Sequence, residues 1–183
     1  MFVQIQNTPN PNSLKFLPDR VVSKSGSYEI KKKDETNNDL VRNILSINGV
    51  TGLFLGKDFI SVNKEKNPNW EDIKHIVISL INEFYKSGKN FVIDNDINER
   101  EPNNNLEEIE KKIIKILDTK IRPAVAKDGG DIKFQEFKDG VVKVKLQGSC
   151  SGCPSSTLTL KQGVENLLCH YIPDVKEVLA IQE

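Results

Sequence analysis

The sequence GSCSGCPSS, residues 148–156, joins a segment of alternating apolar residues to a segment with helical spacing, and it carries two of the chain's three cysteines. Before it, Val142, Val144 and Leu146 alternate with lysines, which is typical of a half-buried strand. After it, apolar residues recur at the spacing of one helix face: Leu160, Val164, Leu167 and Leu168. Proline suits the first position of a helix, where no N–H is needed, so Pro154 marks the helix start. The sequence therefore predicts two thiols on a loop that leads from a strand into a helix.

This loop has the chemistry of a thiolate site. Cys153 falls at or near the N-cap of the predicted helix, where unpaired N–H groups and the helix dipole favour a negative ligand. Such surroundings lower the pKa of a cysteine, and the thiolate is the form that binds a metal or attacks sulfur. Gly148 and Gly152 allow close backbone approach and positive φ, and the small polar neighbours favour exposure of both thiols. We predict that Cys150 and Cys153 lie side by side as thiolates in an exposed loop.

Length and charge exclude several classes of protein. The 183 residues suffice for one large domain or two small ones. Lys plus Arg and Asp plus Glu each number 26, so no net field attracts nucleic acid or a membrane surface. No apolar run approaches the roughly 20 residues of a membrane span, and the N-terminus resembles neither a secretory signal nor a transit peptide. We expect an intracellular chain without a disulfide framework and with no nucleic-acid or membrane partner.

The first half of the chain mixes strands and helices before a polar stretch. Periodicity and turn residues predict strands on either side of a turn at residues 7–12, a third strand near 28–30, a helix over 40–47, a hairpin over 50–62 and a helix from Trp70 to about Gly88. Residues 94–105 are rich in Asp, Asn and Glu, and such a composition cannot bury a core. We predict domains at 1–93 and 105–183, joined by a linker at 94–104.

The second half is predicted to follow the order helix, strand, strand, helix, strand. Its first helix begins at Asn105, a residue type that can act as an N-cap, and Pro123 kinks or ends it. A turn at 128–131 and the dipeptide Asp139-Gly140 delimit two antiparallel strands. A last strand over 174–181 can pair in parallel through a crossover. The predicted fold class is α+β, with two small α/β-sandwich domains joined by a polar linker.

Three functions compete for the pair Cys150 and Cys153. In thioredoxin-like thiol–disulfide exchange the motif normally opens a helix early in a βαβ pattern, whereas here it follows a hairpin. A zinc site needs four ligands, and no second pair stands at a suitable spacing, so zinc would have to bridge two chains. An iron–sulfur cluster also takes four thiolates, which a symmetric dimer could supply, two from each chain. The remaining alternative is a pair of buried, inert cysteines, against which the Gly and Ser neighbours argue.

Motifs in both halves resemble one family. The second half resembles the NifU C-terminal domain of the Nfu family of iron–sulfur carriers in IRP at 121–123, DGGD at 128–131, GSCSGCPSS at 148–156, TL at 157–158 and GVE at 163–165. The first half resembles that family's N-terminal domain in QNTPNPN at 6–12, LKF at 14–16, GV at 49–50, GKDFI at 56–60 and Trp70. The resemblance covers nearly the whole chain.

The resemblance implies a scaffold or carrier and not an enzyme. It implies a [4Fe-4S] cluster, with [2Fe-2S] as the alternative, shared between two protomers through Cys150 and Cys153 of each. The cluster would come from upstream assembly factors and pass to apo iron–sulfur acceptor proteins, and the cluster-bound form would be a homodimer. Because no transit peptide is visible, the resemblance is to a bacterial member, and we expect a cytoplasmic location.

Other polar residues have simpler interpretations. Asp128 and Asp131 are expected to form a turn and end a helix. His75 and His170 are expected to be surface or packing residues. Cys169 lies sixteen residues after Cys153 in the sequence, which in a helix corresponds to roughly 24 Å along the axis. We therefore predict that Cys169 is not a ligand of the same site.

Overall fold

The computed structural model describes residues 2–90, 92–93, 107–151 and 154–181, except for the side chains of 154–157. The first half contains β1 (Gln4–Asn7), β2 (Ser13–Leu17), β3 (Tyr28–Ile30), α1 (Asp39–Ile44), β4 (Val50–Leu55), β5 (Ile60–Lys64) and α2 (Trp70–Lys86). The second half contains α3 (Glu108–Ile116), a π-helical segment (Leu117–Ile121), α4 (Arg122–Lys127), β6 (Gly130–Lys138), β7 (Val141–Gly148), α5 (Pro154–Tyr171) and β8 (Glu177–Ile181). No described helix is long and apolar enough to cross a lipid bilayer.

The first half forms an antiparallel sheet of five strands, ordered β1-β2-β5-β4-β3. Alternate residues of its central strands point toward α1 and α2 and share a core with them. Phe16, Leu53 and Ile60 are buried in this core from the sheet, and Ile44 and Ile73 from the helices. Two helices on one face of a small sheet confirm the predicted α+β class for this half.

The second half forms a sheet of three strands, ordered β6-β7-β8. The first pair is antiparallel, and β8 lies parallel to β7 after the crossover through α5. Val144 of the sheet and Val164 and Leu168 of α5 are buried in one core with residues of α3 and α4. The predicted order of helix, strand, strand, helix and strand is confirmed, and so is the helix start at Pro154.

Several predicted boundaries in this half need correction. The first helix begins at Glu108 with Glu107 as its N-cap, and Asn105 lies outside the described residues, as does the predicted linker. Pro123 does not end the helical region, because it stands in the first turn of α4, where a proline needs no hydrogen-bonded N–H. The predicted turn at 128–131 is shorter, since Gly130 already pairs in β6. The last strand begins three residues after 174, at Glu177.

The second face of the five-stranded sheet packs against the C-terminal half. We call this surface the docking face. Its residues lie side by side on neighbouring strands, and they are Glu29, Phe54, Ser61, Lys15 and Asn63. Lys15 Nζ donates to the carbonyl oxygens of Ala126 (2.9 Å) and Lys127 (3.2 Å). Ser61 is 0% exposed, and its Oγ donates to the carbonyl oxygen of Gly129 at 2.7 Å. Lys15 and Ser61 of this face therefore bind backbone at the end of α4 and in the turn that leads to β6.

Candidate thiol site

The β6–β7 hairpin positions the thiol loop, defined as residues 148–153, of which 148–151 are described. Gly148 pairs with Gly130 at the end of the hairpin and has φ of 67°, a value that favours glycine. A Cβ on Gly148 would lie 2.7 Å from the carbonyl oxygen of Gly129. Ser149 N donates to that same oxygen at 3.2 Å, and Ser149 Oγ donates to the carbonyl oxygen of Asp128. The loop is thus held against the turn that precedes β6.

Cys150 is 5% exposed and lies in the core of the C-terminal half. The prediction of an exposed thiol is therefore wrong for Cys150. The cause is Gly130, because a Cβ there would lie 2.6 Å from Cys150 Sγ, so the missing side chain makes room for the sulfur. The small neighbours that suggested exposure instead allow the loop to fold back onto β6. Gly152 and Cys153 lie outside the described residues, and the N-cap position of Cys153 stays a prediction.

A cavity of about 520 Å³ lies beside Cys150. Its walls are mainly apolar and come from the helical segment at 121–125, from α5 and from the N-terminal half, with Ile121, Ala124, Val125, Leu160, Val164 and Pro9 among the lining residues. Asp128 and Ser149 also line it. The Cys150 thiol is therefore packed against its own domain on one side and borders a cavity on the other.

The N-terminal half holds the backbone of the thiol loop on both sides of Cys150. Asn63 Nδ2 donates to the carbonyl oxygen of Gly148 at 3.1 Å, and Gly148 N donates to Glu29 Oε1 at 3.0 Å. Asn10 Nδ2 donates to the carbonyl oxygens of Ser149 (3.0 Å) and Ser151 (3.4 Å). Sequence reasoning missed these residues. The alternation of Ser61 and Asn63 with apolar neighbours shows a polar sheet face, but the same pattern describes a face in contact with water.

An ion pair anchors the start of β6 next to this loop. Asp131 accepts hydrogen bonds from Arg122 Nε (2.8 Å) and Nη2 (2.9 Å), from Ile132 N (2.8 Å) and, across the domain interface, from Ser27 Oγ (2.6 Å). Burial alone would raise the pKa of Asp131, but the hydrogen bonds from Arg122 and Ser27 and the charge of Arg122 outweigh it, so the pKa is lowered. The hydrogen bond to Asp131 is the main cause that raises the pKa of Arg122.

Asp131 is therefore not a turn residue, as the sequence suggested, but a buried anchor within β6. Asp128 follows α4 as its C-cap, which confirms a helix-ending role. His75 and His170 are exposed, as expected, and the ring of His170 contacts that of Tyr171. Cys169 is half-buried against the C-terminal core. Across the described residues, no three His, Cys, Asp or Glu side chains come together in a way that could hold a metal ion.

The protein is thus of the α+β class with two sheets, and its thiol loop follows a hairpin and leads into a crossover helix. Two family models match the chain: "NifU-like domain" at residues 113–179 and "Scaffold protein Nfu/NifU N terminal" at residues 3–88. The chain belongs to the Nfu/NifU-like family, with an N-terminal Nfu domain and a C-terminal NifU-like domain.

Curated relatives share sequence along nearly the whole chain. "NFU1 iron-sulfur cluster scaffold homolog, mitochondrial" from Drosophila sechellia is 43% identical over 97% of this chain, which spans 64% of that relative's length. "NifU-like protein 4, mitochondrial" from Arabidopsis thaliana is 40% identical over 97% of this chain and 65% of its own length. Among solved structures, a solution NMR structure of a NifU-like protein from Saccharomyces cerevisiae has a TM-score of 0.48 and 31% identity, covering 52% of this chain and 87% of that chain.

The expected cytoplasmic location is wrong in the light of these relatives. Both are named as mitochondrial proteins. The expectation treated the first residue of the chain as the start of the protein, whereas the chain spans less than two-thirds of the length of either relative. The first residues of this sequence therefore carry no information about a leader segment.

Proposed function

We propose that this chain is an iron–sulfur cluster scaffold, which holds a cluster at the thiol loop and passes it to apo-proteins without acting as an enzyme. The names of relatives at 40% and 43% identity support this function. The observation that carries it is the position of Cys150 between β7 and α5, at the wall of a cavity and two spacer residues before Cys153. We further propose that the domains are 1–93 and 105–183 with a linker at 94–104, a division supported by the two separate sheets.

The residues at the loop are suited to a cluster that is bound transiently and then transferred to another protein. Asp131 is already bound by Arg122 and Ser27, so its carboxylate is not available as a ligand. The ligands are the thiolates of Cys150 and Cys153, and one chain supplies only half of the four that a cluster usually takes. A second copy related by a two-fold axis supplies the other half. We assign a [4Fe-4S] cluster, with [2Fe-2S] as the alternative nuclearity.

Two ligands from each chain make release chemically accessible. Thiolates of an apo iron–sulfur acceptor can replace the donor thiolates one after another, so no step leaves the cluster without ligands. Upstream assembly factors would load the site by the reverse exchange. Because Cys150 is buried, both exchanges require the loop to open and to make its thiol accessible to the partner protein. The same burial disfavours thioredoxin-like exchange, which needs an accessible attacking thiolate.

Anaerobic reconstitution of three variants tests the proposal. Cys150→Ser and Cys153→Ser should each abolish the iron chromophore and the stoichiometric iron and sulfide, because a half-site with one thiolate cannot hold its share of the cluster. Cys169→Ala is the matched control and should keep the full iron content. Wild-type protein should sediment as a dimer only when it carries the cluster.

Several outcomes would contradict the proposal. A serine variant that assembled a complete cluster would remove Cys150 or Cys153 from the ligand set. Stoichiometric zinc in anaerobically purified protein would favour a zinc-bridged dimer. Reduction of insulin disulfides by the metal-free protein at catalytic rates would favour an oxidoreductase. Mössbauer spectra of the reconstituted protein distinguish [4Fe-4S] from [2Fe-2S].

A further inference from the structure

One amide group of the N-terminal half performs two tasks at the thiol loop. Asn10 is 7% exposed and lies in the turn between β1 and β2. Its Oδ1 accepts a hydrogen bond from Asn12 N at 2.9 Å, which stabilises the turn itself. Its Nδ2 points the other way and donates to the carbonyl oxygens of Ser149 and Ser151, the two neighbours of Cys150. The acceptor side of Asn10 thus serves the turn, and the donor side serves the loop.

The turn also reaches the cavity beside the thiol. Pro9, which precedes Asn10, lines that cavity together with Cys150. On the other side of Cys150, Asn63 and Glu29 of the docking face hold the carbonyl and the N–H of Gly148. The N-terminal half therefore contacts backbone both before and after Cys150, and a shift of the turn changes the wall that the thiol faces.

We propose that Asn10 is a positioning residue of the thiol loop, through which the N-terminal domain controls how accessible Cys150 is. The importance of Asn10 for cluster exchange rests on the proposed function. Its hydrogen bonds to the thiol loop are observed independently of that function. A buried carbonyl that loses its donor pays a desolvation cost in the closed loop. Loss of the Asn10 donor therefore raises the population in which the loop is open and the thiol can react.

The test uses full-length, metal-free protein in which Cys150 is the only remaining thiol, through Cys153→Ser and Cys169→Ala. Asn10→Asp keeps an oxygen that can accept from Asn12 N but replaces the donor with an acceptor that faces the Ser149 carbonyl. We expect the rate of Cys150 modification at pH 7 to rise about tenfold, which corresponds to about 1.4 kcal/mol. Asn7→Asp is the matched control: the same change at an exposed position just before this turn should leave the rate within about twofold of the parent.

The pH profile separates a donor role from a merely structural one. A protonated carboxyl group can donate a hydrogen bond again. The rate for Asn10→Asp, relative to the parent, should therefore fall back toward one as the pH falls through the titration of the new carboxyl. The relative rate for Asn10→Ala should stay raised, because alanine has no donor at any pH. An aromatic disulfide reagent that stays reactive at low pH makes this measurement possible.

Two results would overturn the inference. Unchanged modification rates in both Asn10 variants would show that Asn10 does not restrain the loop. The second result is a rise in the modification rate that corresponds to the fall in the free energy of unfolding, measured by urea unfolding of the same proteins, and that does not reverse at low pH. Such a rise would show that Asn10 has only a structural role. Because no iron is present, failure here leaves the cluster proposal intact, and failure of cluster reconstitution leaves this result intact.

Discussion

Replacing Asp131 with asparagine should lower the free energy of unfolding by about 2–3 kcal/mol at pH 7. Asparagine has nearly the same shape and can keep the Oδ1 contacts to Arg122 Nε and Ile132 N. In place of Oδ2, however, it presents an NH₂ group to Arg122 Nη2, which is also a donor. Ser27 Oγ loses the same charged acceptor. The change therefore removes the negative charge and at least one charge-assisted hydrogen bond.

The expected loss of stability follows from how deeply Asp131 and Arg122 are buried. Removing one partner of a fully buried pair costs about 3–5 kcal/mol, and a hydrogen bond to a charged group contributes about 1.5–3 kcal/mol. The Arg122 side chain is 36% exposed and also pairs with Asp118. Its charge is thus partly hydrated and not stranded by the substitution, which places the expected value near the lower of these ranges.

The pH dependence has a definite sign. The pKa of Asp131 in the folded protein lies below its ordinary value of 3.8, so the carboxylate stabilises the fold above that ordinary value and this stability is lost as the pH falls through the folded pKa. Urea unfolding of wild type and Asp131→Asn at pH 7 and at successively lower pH should show a difference that shrinks below about pH 4.

A nearby carboxylate provides the control for this prediction. Asp118 also pairs with Arg122, at 3.0 Å, but is 47% exposed, and Asp118→Asn should cost at most about 0.5–1 kcal/mol. The reasoning is refuted if Asp131→Asn costs no more than Asp118→Asn at pH 7. It is also refuted if the difference between wild type and Asp131→Asn is the same at pH 7 and at pH 3.

The further predictions concern packing, titration and domain independence. Gly130→Ala should destabilise the protein by about 1–3 kcal/mol, since its Cβ would lie 2.6 Å from Cys150 Sγ, and it should shift the thiol loop. Gly163→Ala in α5, where nothing lies within 4 Å of the added Cβ, should instead stabilise it by about 0.5–1 kcal/mol; urea unfolding that ranks the two alike would contradict both. Burial raises the pKa of Tyr85 to about 12, so its phenolate absorbance should appear well above pH 10 while the protein is folded. A fragment of residues 105–183 should fold on its own core and expose Cys150 to faster modification than the whole chain; an unfolded fragment on circular dichroism would show that the docking face is needed for folding.

Much of the fold could be predicted because its signals are local. Val142, Val144 and Leu146 alternate with lysines and are followed by glycine, by proline and by apolar residues at helical spacing. This pattern specifies strand, loop and helix without reference to distant residues. The helix start at Pro154 and the hairpin at Asp139-Gly140 follow from backbone preferences of single residues in the same way. The boundaries that were misplaced lie where tertiary pairing overrides such preferences. The residue type of Gly130 predicts a turn, but its pairing with Gly148 places it in a strand.

Periodicity, turn chemistry and short motifs lie along the chain, and they are sufficient to predict the two α+β halves, the family to which the chain belongs, and Cys150 and Cys153 as candidate ligands. The burial of Cys150 over Gly130, and the hydrogen bonds by which Asn10, Asn63 and Glu29 hold its loop, depend on contacts between distant parts of the chain and become visible only in the folded protein. The physical reason is that a polar residue on an alternating strand looks the same whether its partner is water or a carbonyl oxygen of another domain. Asn10 is 139 and 141 residues away in the chain from Ser149 and Ser151, whose carbonyls it binds, and no local preference encodes a hydrogen bond between such distant groups.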